Sequence, residues 1–415
     1  MIIIQAMNAL QLLPRLLAHR VAAALRTAPV VVVTGARQTG KTTLARSLGR
    51  SPKRLYLTLD DLDVRGDAES APHDLLGRAP RLTLDDVQHV PTLLSAIKRD
   101  VDRRRVAGRF LLTGSANLLL MRRVAESLAG RAVYFTLGPM TRRERRGSAS
   151  AGIWPDLFDS PLARWRERVE GEVAEPADWR AEARLGGFPT PALHLRQPAA
   201  RNEWFAGYAA TYLERDVLQL SAIQALPEFR RLMRAVCLRI GGLLNQTELG
   251  RDVGLPQPTV HRYLAMLETS YQLVRLPAFA VNRTKRLIKA PKAYWSDVGL
   301  ALHLSGETTP RGAHLENLVL ADLQAWAAAA PDRPEILYWR TAAGEEVDFV
   351  IEWRGRLLPI EVKASSRVSS RDARGIASFR AEYGNAVLGG LVLYAGDETM
   401  FVADKVLAAP WWKVV

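Results

Sequence analysis

The chain has 415 residues, and its 57 Lys plus Arg against 43 Asp plus Glu give a formal net charge of +14, which favours anionic partners such as nucleic acid, nucleotides or acidic proteins. A hydrophobic content of 48% excludes disorder for most of the chain, and about 150 residues per domain predicts roughly three domains. The single cysteine excludes an internal disulfide, and no run of about 18 apolar residues occurs, so we expect a cytoplasmic protein without a membrane span.

Five short apolar runs, separated by helical patterns, occupy residues 28–140. They are APVVVVTGA, RLYLTL, RLTLDDV, GRFLLTGS and RAVYFTLG. Apolar runs that alternate with helices in this way are typical of buried strands in a parallel sheet. We therefore predict an α/β domain with a parallel sheet over residues 1–145.

The first predicted strand leads into a glycine-rich loop and then a helix, and the loop satisfies the pattern G-x-x-x-x-G-K-[ST]. Gly35 and Gly40 allow the backbone amides to turn towards a phosphate. Lys41 would neutralise the β- and γ-phosphate oxygens, and Thr42 would bind Mg²⁺. A glycine-rich turn that binds nothing is the alternative. The predicted nucleotide-binding residues are Gly35, Ala36, Arg37, Gln38, Thr39, Gly40, Lys41, Thr42 and Thr43.

Acidic and hydroxyl side chains follow two later strands of the same domain. RLTLDDV ends in Asp85 and Asp86, where a nucleoside triphosphatase needs one acid near Mg²⁺ and another near the attacking water. We assign Asp85 to the metal and Asp86 to the water; an acidic helix cap is the alternative. Thr113 and Ser115 end the next strand, where a polar side chain can sense the γ-phosphate, unless they form a simple turn.

The order of these motifs resembles the bacterial AAA+-like ATPases that carry a companion domain of unknown function at their C-terminal side. The resemblance covers essentially the whole chain, through GARQTGKTTL, LDDVQHVP, LLTGSAN, ESLAGR, LGPMTRRE, GGFPTPAL, YLERDV and KAYWSDVGLAL. It implies ATP binding with Asp85 as the Walker B acid, Ser115 as the sensor, and Arg131 contacting the γ-phosphate in cis or from a neighbouring subunit of a homo-oligomer. The family usually has Glu at the position of Asp86, and the shorter side chain implies slow hydrolysis.

A helical region follows the sheet domain. We predict a helical linker over residues 146–230 and a winged helix-turn-helix over residues 231–295, because QTELGRDVGLPQPTVHRYLAMLE places two short helices around a turn at Gly254. A basic segment, NRTKRLIKAPK, would act as the wing or as a strand that contacts phosphates. A protein-packing role is the alternative. The side chains that would face DNA are Gln257, Thr259, His261 and Arg262.

Strand patterns return in residues 336–395, within a predicted C-terminal domain of residues 296–415, and Asp348 and Glu361 there have the D-x(12)-E-x-K spacing that ends in Lys363. The strand period of two puts Glu361 and Lys363 on one face. We predict that Asp348 and Glu361, with Glu316 from the preceding helix, bind Mg²⁺ and that Lys363 orients or deprotonates a water. The layout resembles the PD-(D/E)xK nuclease fold. The alternative is a surface ion pair in an inherited fold that does not cut.

These predictions favour an ATP-dependent protein that acts on DNA, in which the nucleotide state sets the arrangement of the C-terminal modules. ATP and Mg²⁺ are the expected cofactors. The alternative is a nucleotide-gated interaction protein, in which the C-terminal domains bind a protein partner and the E-x-K strand is structural.

Overall fold

The structure is a computed structural model that describes residues 12–48, 54–115, 128–214 and 226–415. Parts of LLTGSAN, ESLAGR and YLERDV, at 116–117, 126–127 and 215–217, lie outside the described residues. None of the described helices is long and apolar enough to cross a membrane.

A parallel sheet of five strands forms the N-terminal domain. The strands are β1 (Val30–Thr34), β2 (Arg54–Thr58), β3 (Arg81–Asp85), β4 (Phe110–Thr113) and β5 (Ala132–Thr136), in the order β2-β3-β4-β1-β5. Each lies in one of the five apolar runs, which confirms the predicted parallel α/β domain. Because the strands are parallel, their carboxyl ends meet at one edge of the sheet.

Helices cover both faces of this sheet: α1 (Ala18–Ala24), α2 (Lys41–Leu48), α3 (Leu62–Ser70), α4 (Pro72–Gly77) and α5 (Leu93–Arg103). The β1 side chains alternate between two apolar layers, as the strand period of two requires. Val30 and Val32 join the layer formed with α3, α4 and α5, whereas Val31 joins the layer formed with α1 and α2. Burial on both faces explains why β1 is apolar at four consecutive positions.

Short helices dominate the next region, and their aromatic side chains form much of its core. They are α6 (Arg142–Arg145), α7 (Trp154–Asp159), α8 (Trp165–Gly171), α9 (Trp179–Leu185), α10 (Pro189–Leu193), α11 (Pro198–Tyr208) and α12 (Leu226–Cys237). Cys237, the single cysteine, is completely buried in this core.

Two helices and a two-stranded antiparallel sheet follow. Helices α13 (Gln246–Val253) and α14 (Gln257–Thr269) meet at Gly254, whose φ of +68° ends α13. Strands β6 (Leu273–Leu276) and β7 (Lys292–Trp295) flank α15 (Arg283–Ile288). The helices lie where the spacing predicts them, and their assignment as a winged helix stays a prediction. The predicted basic wing or strand forms α15 instead, because Asn282 accepts a hydrogen bond from Thr284 N at 2.9 Å and caps a helix.

A mixed six-stranded sheet forms the C-terminal domain, after α16 (Val298–Ser305) and α17 (Gly312–Ala329). Its strands are β8 (Glu335–Arg340), β9 (Glu346–Trp353), β10 (Arg356–Lys363), β11 (Gly390–Tyr394), β12 (Met400–Ala403) and β13 (Val406–Pro410), in the order β12-β13-β11-β10-β9-β8. The remaining helices are α18 (Arg374–Tyr383) and α19 (Trp411–Val414). Strands β8 to β10 are antiparallel and β10 pairs in parallel with β11. The sequence prediction missed β12 and β13.

Candidate functional site

The phosphate loop, residues 35–42, joins β1 to α2 with backbone angles that favour glycine. Gly35 has a φ of +143° and Gly40 a φ of +93°. A Cβ at Gly35 would also collide with the carbonyl oxygen of Leu137, which lies just after β5. Gly35 is therefore required both by its backbone angle and by the close approach of a neighbouring chain segment.

Lys41 is buried inside the phosphate loop, with 6% of its surface exposed. Its Nζ donates to the carbonyl oxygens of Gly35 at 3.1 Å and Ala36 at 2.7 Å. Burial lowers the pKa of Lys41 to about 8, against the opposing effect of Asp86. The amine is thus held by two backbone oxygens that phosphate oxygens can replace, and it lies close enough to Asp86 to interact with it electrostatically.

The other loop residues divide between structural and accessible positions. Thr39 is fully buried, and its Oγ1 donates to Ala36 O at 3.0 Å. Thr42 is half-buried in the first turn of α2, and Thr43 is exposed. Arg15 also holds the loop, because its Nη1 donates to Thr39 O at 2.7 Å. The sequence prediction did not identify Arg15, since no spacing rule links it to residues so far along the chain.

The two acids after β3 have different surroundings. Asp85 is buried, and it accepts hydrogen bonds from Tyr56 Oη at 2.6 Å and from the hydroxyl of Thr113. Asp86 is half-buried with a φ of +57°, and its Oδ1 accepts from Gln88 Nε2 at 2.8 Å. Burial raises the pKa of Asp86. The sheet edge therefore offers one rigidly held carboxylate and a second whose basicity is increased.

Of the two sensor candidates, Thr113 is already engaged, because its hydroxyl donates to Asp85 and accepts from Asp86 N at 3.1 Å. Ser115 N donates to Gln88 Oε1 at 3.3 Å. The Ser115 hydroxyl is buried and has no hydrogen-bond partner among the described residues. A buried hydroxyl without a partner is costly, so Ser115 is the better placed of the two to bind an added phosphate oxygen.

The predicted cis contact of Arg131 with the γ-phosphate is wrong for this arrangement of the chain. Arg131 directly precedes β5, whereas the phosphate loop follows the other end of β1, and the register Val30↔Ala132 puts these ends about 13 Å apart along the strands. Its guanidinium instead pairs with Asp102, with Nε 2.5 Å from Oδ1 and Nη2 3.0 Å from Oδ2. The contact from a neighbouring subunit stays a prediction.

Two tyrosines of the helical region contact the phosphate loop and its entry. Tyr271 Oη donates to Thr34 Oγ1 at 2.9 Å, at the end of β1. Tyr208 Oη donates to Arg37 O at 3.3 Å and accepts from Gln272 Nε2 at 3.2 Å. Tyr271 and Gln272 lie between α14 and β6. The phosphate loop and its entry are therefore linked by hydrogen bonds to the residues that follow α14, the helix with the predicted DNA-facing side chains.

The predicted DNA-facing side chains of α14 are accessible: Gln257, His261 and Arg262 are exposed, and Thr259 is half-buried. The predicted basic segment, residues 282–292, is only partly available. Arg286 is buried and pairs with Glu352 at 2.6 Å, which removes its charge from any phosphate.

A buried cluster of charged side chains, the carboxylate centre, lies where α17, β9 and β10 meet. Its carboxylates are Glu316, Glu346, Asp348 and Glu361, and its lysines are Lys292 and Lys363. Burial and the neighbouring Asp348 raise the pKa of Glu316 to about 8 and that of Glu361 to about 9. Burial opposes ionisation of Asp348, but Lys292, Lys363 and the hydrogen bonds with Glu361 and Val362 N together lower the pKa of Asp348.

The predicted Mg²⁺ site of Glu316, Asp348 and Glu361 is not formed. Within the described ranges, no group of three or more His, Cys, Asp or Glu side chains is arranged to hold a metal ion. The three carboxylates do meet in one cluster, yet each is already bonded to a protein donor. Lys363 Nζ, predicted to act on a water, lies 2.9 Å from Glu361 Oε2.

Family models divide the chain into three matched parts. A model described as an AAA domain matches residues 27–145, and two domains of unknown function, DUF8612 and DUF4143, match residues 177–311 and 311–414. Uncharacterized proteins of Mycobacterium bovis and Mycobacterium tuberculosis are each 31% identical to the chain over 402 residues, which is 95% of the chain and 82% of each relative.

Solved structures resemble the chain less closely. A Walker-type ATPase of Pyrococcus abyssi has a TM-score of 0.42 and 14% identity, covering 69% of this chain and 94% of that one. Domain III of the replication initiation protein DnaA from Thermotoga maritima has a TM-score of 0.25 and 18% identity, covering 34% and 66%. The assignment of the N-terminal domain as an AAA-type P-loop domain depends on the family match and on the geometry of residues 30–115.

Proposed function

Because the chain belongs to the same family as the two mycobacterial proteins and contains an AAA domain, we propose that it binds ATP with Mg²⁺ at the phosphate loop and hydrolyses it. The observation that carries the proposal is the position of Lys41, which is buried in the loop and interacts with both Asp85 and Asp86. This is the arrangement of charge that phosphoryl transfer requires.

Some residues of the site bind the nucleotide and its metal ion, and others act in turnover. The backbone of residues 35–40 and the amine of Lys41 bind the phosphates, and Ser115 donates to a γ-phosphate oxygen. Thr42 and Asp85 supply hydroxyl and carboxylate oxygens, the ligands that Mg²⁺ prefers, and the ion would neutralise phosphate charge. Asp86 orients the attacking water. Since Asp86 is one methylene shorter than Glu, we expect slow turnover.

The substitution Asp86→Asn tests this division directly. It removes the base and keeps the side-chain shape, so ATP affinity should stay within about twofold while turnover falls on the order of 100-fold. ATP binding by titration calorimetry and phosphate release on the same preparation provide both values. The control is Asp74→Asn, an exposed carboxylate on α4 of the same domain, which should leave both values unchanged. Wild-type turnover in Asp86→Asn would exclude Asp86 from the reaction.

We further propose that the nucleotide state controls DNA binding through α14. The supporting observation is the pair of tyrosine contacts, since a loop that rearranges around phosphate must move Arg37 O and with it the hydrogen bonds to Tyr208 and Gln272. The exposed residues of α14 and the net charge of +14 suit a polyanionic partner.

Arg262→Ala is expected to weaken duplex DNA binding and to reduce the slope of log affinity against log salt by about 0.9, the value for one lost phosphate contact. Fluorescence anisotropy across a salt series measures both. Arg166→Ala is the matched control, because Arg166 is exposed on α8 and pairs with Glu170. Equal salt slopes for the two variants would remove α14 from the DNA interface.

The same tyrosine contacts also favour a second candidate, a nucleotide-gated switch that binds a protein partner. The two candidates differ in one measurable respect. If ATP changes the hydrogen exchange of α14 while duplex DNA binding stays at background, the switch is supported; if ATP changes duplex affinity, action on DNA is supported.

A further inference from the structure

Lys292 reaches the carboxylate centre from a different part of the chain. It is the first residue of β7, where it pairs with Leu276 of β6, and it forms a bridge with Leu243. Its side chain is only 3% exposed, with Nζ 3.3 Å from Asp348 Oδ1 and in contact with Glu346. The backbone of Lys292 is thus fixed by two neighbours while its ammonium group is enclosed among acids of the C-terminal sheet.

Three further carboxylate oxygen contacts of the centre are to protein donors. Asp348 Oδ2 accepts from Val362 N at 3.0 Å, and Glu316 Oε2 accepts from Tyr294 Oη at 2.9 Å. Glu361 Oε2 accepts from Lys363 Nζ at 2.9 Å. A divalent cation needs several oxygens that converge on one point with their lone pairs free. Here the donors that meet these oxygens come from the protein itself.

The charges of the centre can balance without a metal ion. Lys292 interacts with Asp348 and Glu346, while Lys363 interacts with Glu361. Arg340 lies 3.6 Å from Glu346 and adds a further positive charge at the exposed side. Binding a divalent ion would therefore require the ammonium of Lys292 to leave a buried position and its ion pairs to break.

We propose that Lys292 is the resident cation of the carboxylate centre and that it excludes a divalent metal ion from it. The D-x(12)-E-x-K residues then fix β7 to the C-terminal sheet through an ion-pair cluster, and the C-terminal domain binds its partners without metal-dependent cutting. This goes beyond the proposed ATPase, because it assigns a role to a second group of residues that no step at the phosphate loop uses.

Mn²⁺ binding to the full chain without nucleotide tests the proposal. The comparison is wild type against Asp348→Asn, both checked for folding by circular dichroism, with Mn²⁺ counted by electron paramagnetic resonance. We expect the same Mn²⁺ stoichiometry for both. A site present in wild type and lost in Asp348→Asn would overturn the proposal. ATP turnover is expected to be equal for wild type and Asp348→Asn on the same preparations. A failure of the proposal for Lys292 is therefore distinguishable from a failure of the ATPase proposal.

Lys292→Met provides the complementary result, because it keeps the aliphatic stem and removes the charge. The folded variant should gain one Mn²⁺ site, which the double variant Lys292→Met, Asp348→Asn lacks, and Lys292→Arg should gain none. A folded Lys292→Met chain that gains no site would contradict the role of Lys292. If Lys292→Met does not fold, the comparison of wild type with Asp348→Asn decides alone.

Discussion

Lys41→Ala should abolish measurable ATP turnover, with a loss on the order of 100-fold to 1000-fold, since it removes the positive charge that meets the developing negative charge on the transferred phosphoryl group. The free protein already positions the amine, 2.7 Å from Ala36 O and 3.1 Å from Gly35 O. Phosphate release measured with Mg²⁺ provides the rate. The exposed Arg26→Ala, on the same domain, is the control for a general effect of lost charge.

The same residue also predicts a pH dependence of binding. Burial lowers the pKa of Lys41 to about 8 in the free protein, whereas bound phosphates favour the charged amine. ATP binding must therefore take up a proton above pH 8, and the affinity should fall by up to about tenfold per pH unit there while staying constant below pH 7. A flat affinity between pH 7 and 10, or wild-type turnover in Lys41→Ala, would contradict the assignment of Lys41.

Asp297→Ala is expected to be the most destabilising single substitution at the boundary between the helical region and the phosphate loop. The carboxylate is buried and accepts from Gly187 N at 2.6 Å, Phe188 N at 3.2 Å and Leu300 N at 2.7 Å. Loss of these acceptors leaves three buried donors unpaired, which should lower the free energy of unfolding by about 3–5 kcal/mol. Chemical denaturation measures the change.

Two variants separate this effect from ordinary helix capping. Asp178 caps α9 at an exposed position and accepts from Arg180 N at 3.0 Å, so Asp178→Ala should cost only about 1 kcal/mol. Asp297→Asn keeps one strong acceptor and should lie between the two. Because Pro189, next to Phe188, lies beside Gly40, Asp297→Ala should also weaken ATP binding. Equal losses for Asp297→Ala and Asp178→Ala would contradict this account.

The sequence predicted the parts of the molecule that local rules determine. The five strands of the first sheet are apolar runs buried on both faces, and the phosphate loop is a contiguous motif whose glycines meet backbone requirements. The position of Asp85 and Asp86 follows in the same way, since residues at the carboxyl ends of parallel strands meet at one edge of the sheet.

Local sequence rules could not predict the contacts between segments that lie far apart in the chain. Tyr56, Arg15 and Tyr208 are single residues without a motif, and they reach the site only through the packing of the sheet and the helical region. Arg131 was assigned from its motif alone, and the strand direction puts it at the other end of the sheet. The D-x(12)-E-x-K spacing alone predicts a metal site, but Lys292 occupies the carboxylate centre with its own positive charge. Lys292 reaches the centre from β7, over 50 residues before Asp348.

The most direct test of the central claim is steady-state phosphate release by the full chain with ATP and Mg²⁺ as duplex DNA is added. We expect slow Mg²⁺-dependent release that rises with DNA concentration and is absent in Lys41→Ala. If DNA does not change the Mg²⁺-dependent release, the protein is an ATPase whose turnover does not depend on DNA. No release above background at any DNA concentration would contradict the claim that this chain hydrolyses ATP.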